Sequence, residues 1–178
     1  MDYSKYYKTF SGCEKLTELP EFFKLPQEET KEDSVINDSY EIFAKTGLTS
    51  VCLSGVLESN YYNLFANCTS LSSIILDIQN INIKDYDGEI LQSISKSLSG
   101  FLYGCTSLNS ITLKLPGLPL ISLDDPEAKH GFDGWWDGLE NSSIISCYCD
   151  SNLYDLISEN KSYDGTGTIP SRWTLIRN

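Results

Sequence analysis

Apolar residues in this chain recur in copies of one short pattern. In the clearest copy, residues 65–76, an aromatic residue, a cysteine, a leucine and an isoleucine follow at three-residue steps: Phe65, Cys68, Leu71 and Ile74. Related copies begin at the anchor residues Phe10, Phe43, Leu102 and Trp136. The five anchors are 33, 22, 37 and 34 residues apart, which is within the range of repeats whose units bury their apolar faces against neighbouring units. We therefore predict one domain over residues 1–178, made of about five stacked units.

Within each unit the spacing of apolar residues changes. In residues 61–65 and 90–102 they recur at three- and four-residue steps, which predicts a short helix before and at each anchor. After the cysteine, Ile74, Leu76 and Ile78 alternate with other residues, as the two faces of a strand require. Each unit is thus predicted to contain a short helix, a turn, a corner leucine and a strand, with the strands paired in parallel.

Alignment of the predicted strands assigns each side chain to an inward or an outward face. One inward column contains Leu19, Val51, Ile74, Ile111 and Ile145, and the next contains Leu53, Leu76, Leu113 and Cys147. The residues between them are predicted to face outward. One outward row contains Cys52, Ile75, Thr112 and Ser146, and the next contains Asp77, Lys114 and Tyr148.

The end of the chain departs from the repeat. Residues 153–157 suggest one more short helix, residues 164–170 a turn, and Trp173 begins a closing strand. Because the end of a stack of repeats exposes an unpaired strand edge and an apolar cross-section, residues 150–178 are predicted to form a cap. The predicted fold is an α/β solenoid with parallel strands stacked on one side, short helices opposite and a C-terminal cap.

The six cysteines allow two interpretations. An even number would suggest three disulfide bridges in a secreted protein. Cys13, Cys68 and Cys105, however, occupy one equivalent position in successive units, so stacking would place them in a column of small buried side chains. We favour mostly unpaired, packed thiols over bridges, and we assign Cys147 and Cys149, which share one face of a strand, to the core.

The repeated Phe-x-x-Cys-x-x-Leu-x-x-Ile form resembles the BspA-like leucine-rich repeats of surface proteins from bacteria and some protozoa. Residues 10–19, 65–74 and, with Leu102 in place of Phe, 102–111 carry the resemblance. Residues 135–138 and 167–174 also look like the terminal portions of such proteins from gut bacteria. The resemblance implies irregular leucine-rich repeats, an extracellular or cell-surface location and a non-catalytic role in adhesion.

Composition and motifs narrow the possible partners and chemistry. Thirteen basic and 25 acidic residues give a net charge of −12, which argues against nucleic acid and anionic membranes as partners. No apolar run is long enough for a membrane helix. The single histidine, His130, has no nucleophile motif beside it, residues 85–89 lack the later ligands of a calcium loop, and the acidic pairs show no sign of convergence. We predict neither a catalytic site nor a metal or cofactor site.

The outward strand residues are the candidates for partner recognition. Exposed aromatic and aliphatic side chains are favoured at interfaces, and Trp135 is added as an aromatic residue that faces either the core or a partner. The candidate binding residues are Ile75, Asp77, Thr112, Lys114, Tyr148 and Trp135. The predicted function is a binding or adhesion protein for a protein or glycan partner. The alternative is a structural spacer or capping module of a larger surface protein, and a carbohydrate-active domain is the least favoured interpretation.

Overall fold

The computed structural model describes residues 8–19, 39–57, 61–81, 98, 100–115, 138–139, 145–149, 151, 154–155, 158 and 173–178. The strands are β1 (Ser39–Tyr40), β2 (Ser50–Leu57), β3 (Tyr61–Tyr62), β4 (Ser73–Ile81), β5 (Ser110–Lys114), β6 (Ser146–Cys149) and β7 (Thr174–Arg177). Within the described ranges, α-helical backbone is confined to Ser151, Tyr154, Asp155 and Ser158. No described helix has the length and apolar character needed to cross a lipid bilayer.

Five strands form one parallel sheet in the order β2-β4-β5-β6-β7. β1 and β3 form a separate two-stranded parallel sheet. Each strand of the large sheet pairs with the next strand of that sheet along the chain. β3 lies between β2 and β4 in the sequence but belongs to the small sheet. The predicted parallel pairing of strands from successive units is therefore confirmed, and the predicted closing strand after Trp173 is β7, paired with β6.

Alternating side chains from the five strands fill the inner face of the sheet. The first inward row is Val51, Ile74, Ile111, Cys147 and Leu175, and the second is Leu53, Leu76, Leu113, Cys149 and Arg177. From β2 to β6 every member of both rows is buried. Branched aliphatic side chains dominate them, which suits a pleated and buried surface.

The predicted register of the fifth unit is wrong by two residues. The alignment placed Ile145 beside Ile111 and Cys147 beside Leu113, whereas Cys147 pairs with Ile111 and Cys149 with Leu113. A shift of two residues keeps each side chain on its face, so Cys147 and Cys149 are buried as expected. Ile145 is also fully buried, just before the strand begins. The signal for the correct register is a serine at the start of each strand: Ser50, Ser73, Ser110 and Ser146.

The segments at the anchors are tight turns, and the helix predicted for residues 61–65 is wrong. Tyr61 and Tyr62 form β3, and residues 63–67 are turns. The cause is a left-handed backbone two residues before each anchor, at Lys8, Glu41, Asn63 and Gly100, where φ is 49–62°. An α-helix requires φ near −60°. Most of the helix predicted for residues 90–102 lies outside the described residues, and residues 100–102 are turns.

The turns of successive units stack in register through backbone hydrogen bonds. The N–H groups of Lys8, Phe10 and Gly12 donate to the carbonyls of Tyr40, Ile42 and Ala44. The N–H groups of Glu41, Phe43 and Lys45 donate in the same way to Tyr62, Leu64 and Ala66. Anchor side chains stack along the same direction, with ring centroids 5.4 Å apart for Phe10 and Phe43 and 5.5 Å apart for Phe43 and Phe65. The aligned anchors therefore occupy equivalent places in these units.

None of the six cysteines forms a disulfide bridge, as the sequence favoured. Cys68 and Cys105 are buried at equivalent positions, and Thr46 takes the same place in the second unit. Cys13, which was expected to be buried with them, is exposed. Cys13 belongs to the first unit of the stack, so no described unit lies on its outer side.

Candidate functional site

The outward face of the sheet carries three parallel rows of side chains. The hydroxyl row is Ser50, Ser73, Ser110, Ser146 and Thr174. The middle row is Cys52, Ile75, Thr112, Tyr148 and Ile176. The charged row is Ser54, Asp77 and Lys114. Since neighbouring strands lie about 4.8 Å apart, the first two rows each extend for about 19 Å across the sheet.

The middle row is the most apolar part of this face. Ile75, on the second strand of the sheet, is 38% exposed. Its neighbour in the row, Cys52 on β2, is also exposed. Thr112, Tyr148 and Ile176 are half-buried. The row is therefore a strip that exposes Cys52 and Ile75 to solvent and leaves Thr112, Tyr148 and Ile176 partly accessible beside them.

An ion pair lies on one side of this strip. Lys114 Nζ is 3.3 Å from Asp77 Oδ2, with the two side chains 57% and 38% exposed. At that exposure the pair stabilises the fold by no more than about 1 kcal/mol. Its larger effect is on the surface potential, because the two charges cancel locally in a chain whose net charge is −12. The strip is thus bordered by a neutral polar rim.

Hydroxyl groups border the other side. Each member of the hydroxyl row begins its strand, and each hydroxyl group can donate and accept hydrogen bonds. The row is held in place by the corners just before the strands, where N–H groups of Ser72, Asn109 and Ser146 donate to the carbonyls of Thr49, Ser72 and Asn109. Ser72 Oγ also donates to the Thr49 carbonyl at 2.9 Å. This ladder fixes the spacing of the row from strand to strand.

Five of the six predicted binding residues lie on this face. Ile75 and Thr112 are neighbours in the middle row, and Asp77 and Lys114 are neighbours in the charged row, as predicted. Tyr148 was assigned to the row of Asp77 and Lys114, which is wrong, because it pairs with Thr112 in the middle row. The two-residue register shift of β6 explains the error. The sixth residue, Trp135, lies outside the described residues.

The structure adds Ile176 and the threonine of β7 to this face. Ile176 pairs with Tyr148 and extends the middle row to a fifth strand. It was overlooked because the end of the chain was interpreted as a cap, without a register. The signal was available in the sequence, since Thr174 and Ile176 repeat the spacing of Ser73 and Ile75.

The buried thiols serve the packing of the repeats. Cys68 Sγ donates to the carbonyl of Phe43 at 3.1 Å, and Cys105 Sγ donates to the carbonyl of Phe65 at 3.2 Å. Burial raises the pKa of both thiols, that of Cys105 to about 12, so both are protonated at neutral pH. Because the thiolate is the nucleophilic form, these two cysteines are unsuited to nucleophilic chemistry.

The described residues contain no group of three or more His, Cys, Asp or Glu side chains placed to hold a metal ion. His130, the calcium-loop-like residues 85–89 and the acidic residues 124–127 lie outside the described ranges. Comparisons of the chain with protein-family models, with curated proteins and with solved structures found no match.

Proposed function

We propose that this chain is a non-catalytic binding module, built as an irregular leucine-rich-repeat solenoid, which recognises a protein partner through the outward face of its sheet. The observation that carries the proposal is the middle row, with Ile75 exposed at the surface and Tyr148 two strands away. The cell-surface or extracellular location implied by the repeat resemblance belongs to the same proposal.

The proposed solenoid architecture is supported by two kinds of contact between the described units. Backbone hydrogen bonds join successive turns at the anchors, and the strands that follow those turns pair in parallel. Contact between each unit and its neighbours is the stacking principle of repeat proteins, so these contacts support the proposed solenoid.

A protein partner is favoured over a glycan by the arrangement of the three rows. Protein interfaces have an apolar centre, depleted in charge, with a polar rim. The middle row provides such a centre, the hydroxyl row and the Asp77–Lys114 pair provide a rim, and the pair leaves no net charge. Three rows measure about 19 Å by 14 Å, less than the roughly 800 Å² per partner of a standard interface. A partner of standard interface size would therefore also contact residues beyond these three rows.

The test is a binding array of immobilised extracellular-matrix proteins and glycans, probed with the purified chain and with variants. Ile75→Asp places a charge in the centre of the strip, and Tyr148→Ala removes its aromatic ring. We expect each variant to lose at least about tenfold in affinity for a protein ligand, which corresponds to about 1.4 kcal/mol.

The matched control is Tyr103→Ala, which removes a 50%-exposed aromatic ring from the turn side of the molecule. It is expected to bind like the unchanged chain, and circular dichroism must show that all variants are folded. Equal binding by Ile75→Asp, Tyr148→Ala and the unchanged chain would remove the strand face from the proposal. Binding to glycans alone would replace the protein partner, and no binding to any probe would favour the structural spacer.

A further inference from the structure

The first repeat unit, residues 8–19, is the first described unit of the stack, and it exposes groups whose equivalents are covered in the following units. In the covered units, the backbone carbonyls one residue before and one residue after the anchor accept hydrogen bonds from the preceding unit. The accepting pairs are Ile42 and Ala44, Leu64 and Ala66, and Phe101 and Tyr103. The same two positions in the first unit are Thr9 and Ser11. No described residue donates a hydrogen bond to either carbonyl.

The anchor ring of the first unit is also half covered. Phe43 and Phe65 are fully buried, and Phe43 lies between the rings of Phe10 and Phe65. Phe10 stacks on Phe43 through one face at 5.4 Å and remains 40% exposed. Its interplanar angle with Phe43 is 2°, so its outer face is parallel to the rings behind it. The geometry that receives the next aromatic ring of the column is therefore already present.

The thiol of the first unit differs from its equivalents in the same way. The Cys68 and Cys105 thiols are buried and donate to the anchor carbonyl of the preceding unit. Cys13 occupies the equivalent position and is exposed. A preceding unit would supply the anchor carbonyl that this thiol lacks among the described residues.

We propose that the end face formed by Thr9, Phe10, Ser11 and Cys13 is an interaction surface for one more unit of the same repeat. The occupant is a polypeptide segment that presents backbone N–H groups at alternate positions, an aromatic anchor for Phe10 and an anchor carbonyl for the Cys13 thiol. This surface lies at the end of the stack and is separate from the outward sheet face. It therefore goes beyond the proposed function, and it rests only on the stacking of repeat units that the proposed function includes.

A second copy of this chain does not fit that description. Two first-unit faces would oppose carbonyl to carbonyl, so a head-to-head dimer would leave its backbone acceptors without donors. At the other end, β7 already covers the edge of β6, and Trp173 is buried. Arg177 pairs with Asp155 and lies over the ring of Tyr154 at the same end. The occupant must be a unit whose following side is open.

The experiment extends the chain by one unit and uses thiol reactivity as the readout. Residues 1–7 are replaced by a copy of residues 40–62, with the copied Cys52 changed to serine, so that the added Phe precedes Phe10 by 22 residues. This spacing is the one between Phe43 and Phe65. Alkylation of each cysteine by iodoacetamide is followed by mass spectrometry in the native state.

We expect Cys13 to react at least tenfold more slowly in the extended chain, as a buried thiol does. Cys52 is exposed on the outward sheet face and is the internal control, which is expected to react at the same rate in both chains. If Cys13 stays as reactive as Cys52 while Cys68 and Cys105 remain protected, the end face does not accept a repeat unit and the proposal is overturned.

Two further measurements keep the result decisive. If the extended chain exposes Cys68 and Cys105, it has misfolded, and the measurement is repeated with a copy of residues 62–99, which reproduces the 37-residue spacing of the next unit. Failure of Cys13 protection in that chain also overturns the proposal. Sedimentation velocity of the unextended chain tests the occupant, because concentration-dependent dimers that protect Cys13 would make the partner a second copy and contradict the assignment given above.

Discussion

Truncation of Leu113 to alanine tests the assignment of the two sheet faces. Leu113 lies on β5, fully buried, between Leu76 of β4 and Cys149 of β6. Leu113→Ala removes three carbon atoms from this row, and at about 0.8 kcal/mol for each buried methylene the transfer cost is about 2.4 kcal/mol. Neighbouring strands hold the space open, so a cavity cost is added, and we expect a total of about 3 to 4 kcal/mol.

The matched control is Thr112→Ala, one residue earlier on the same strand. Thr112 points outward and is half-buried, so its truncation is expected to cost less than about 1 kcal/mol. The assay is urea unfolding followed by circular dichroism. With a slope of about 2 kcal/mol per molar urea, Leu113→Ala should lower the midpoint by roughly 1.5 to 2 M and Thr112→Ala by under 0.5 M. Equal shifts would refute the inward and outward assignment.

Two more predictions concern the buried thiols and the turn glycines. Desolvation raises the pKa of Cys105 from 9.0 to about 12. The neutral thiol therefore contributes fully to folding stability below pH 9, and this contribution is lost as the pH rises toward 12. The urea midpoint should therefore fall less steeply above pH 9 in Cys105→Val than in the unchanged chain, and parallel curves would contradict this cause. Gly104→Ala and Gly12→Ala both place a side chain at positive φ, but only at Gly104 would the Cβ meet Asn67 Oδ1, at 2.5 Å. We expect about 1 to 2 kcal/mol of destabilisation at Gly12 and more at Gly104 by urea unfolding, and equal losses would show that Asn67 moves freely aside.

The strands were predictable because their side chains alternate. Ile74, Leu76 and Ile78 face the core at every second position, and any parallel pairing of such segments buries the same side chains. The register of β6 was harder, because Ile145 and Cys147 are both buried and either can align with Ile111. Hydrophobicity alone could not separate them, whereas the serine that begins each neighbouring strand does.

The turns could not be identified from hydrophobic spacing. A step of three or four residues is shared by a helix and by consecutive tight turns, so residues 61–65 satisfied the helical pattern. The residues with positive φ include Glu41 and Lys45, which carry side chains with no marked preference for that backbone region. Their conformation is imposed by the hydrogen bonds to the next unit, and such contacts are not encoded within a short window of sequence.

The candidate site was predicted in part, for the same reasons. Strand alternation and the register of adjacent units correctly predicted the face and the row of four residues: Ile75, Thr112, Asp77 and Lys114. Tyr148 was placed on the correct face and in the wrong row, since a two-residue shift preserves the face. Ile176 belongs to the site only because β7 pairs with β6. The spacing of apolar residues does not predict which strand the end of the chain pairs with.

The order of the strands in the sheet also has a consequence for how the chain folds. β2 and β4 are the longest strands, of eight and nine residues, and the chain between them, residues 58–72, is the shortest connection in the large sheet. Closing a short loop costs the least entropy, and the long pairing returns the most stabilisation. We expect this pair to form the folding nucleus, onto which β5, β6 and β7 are added one after another, in the order in which they are synthesised.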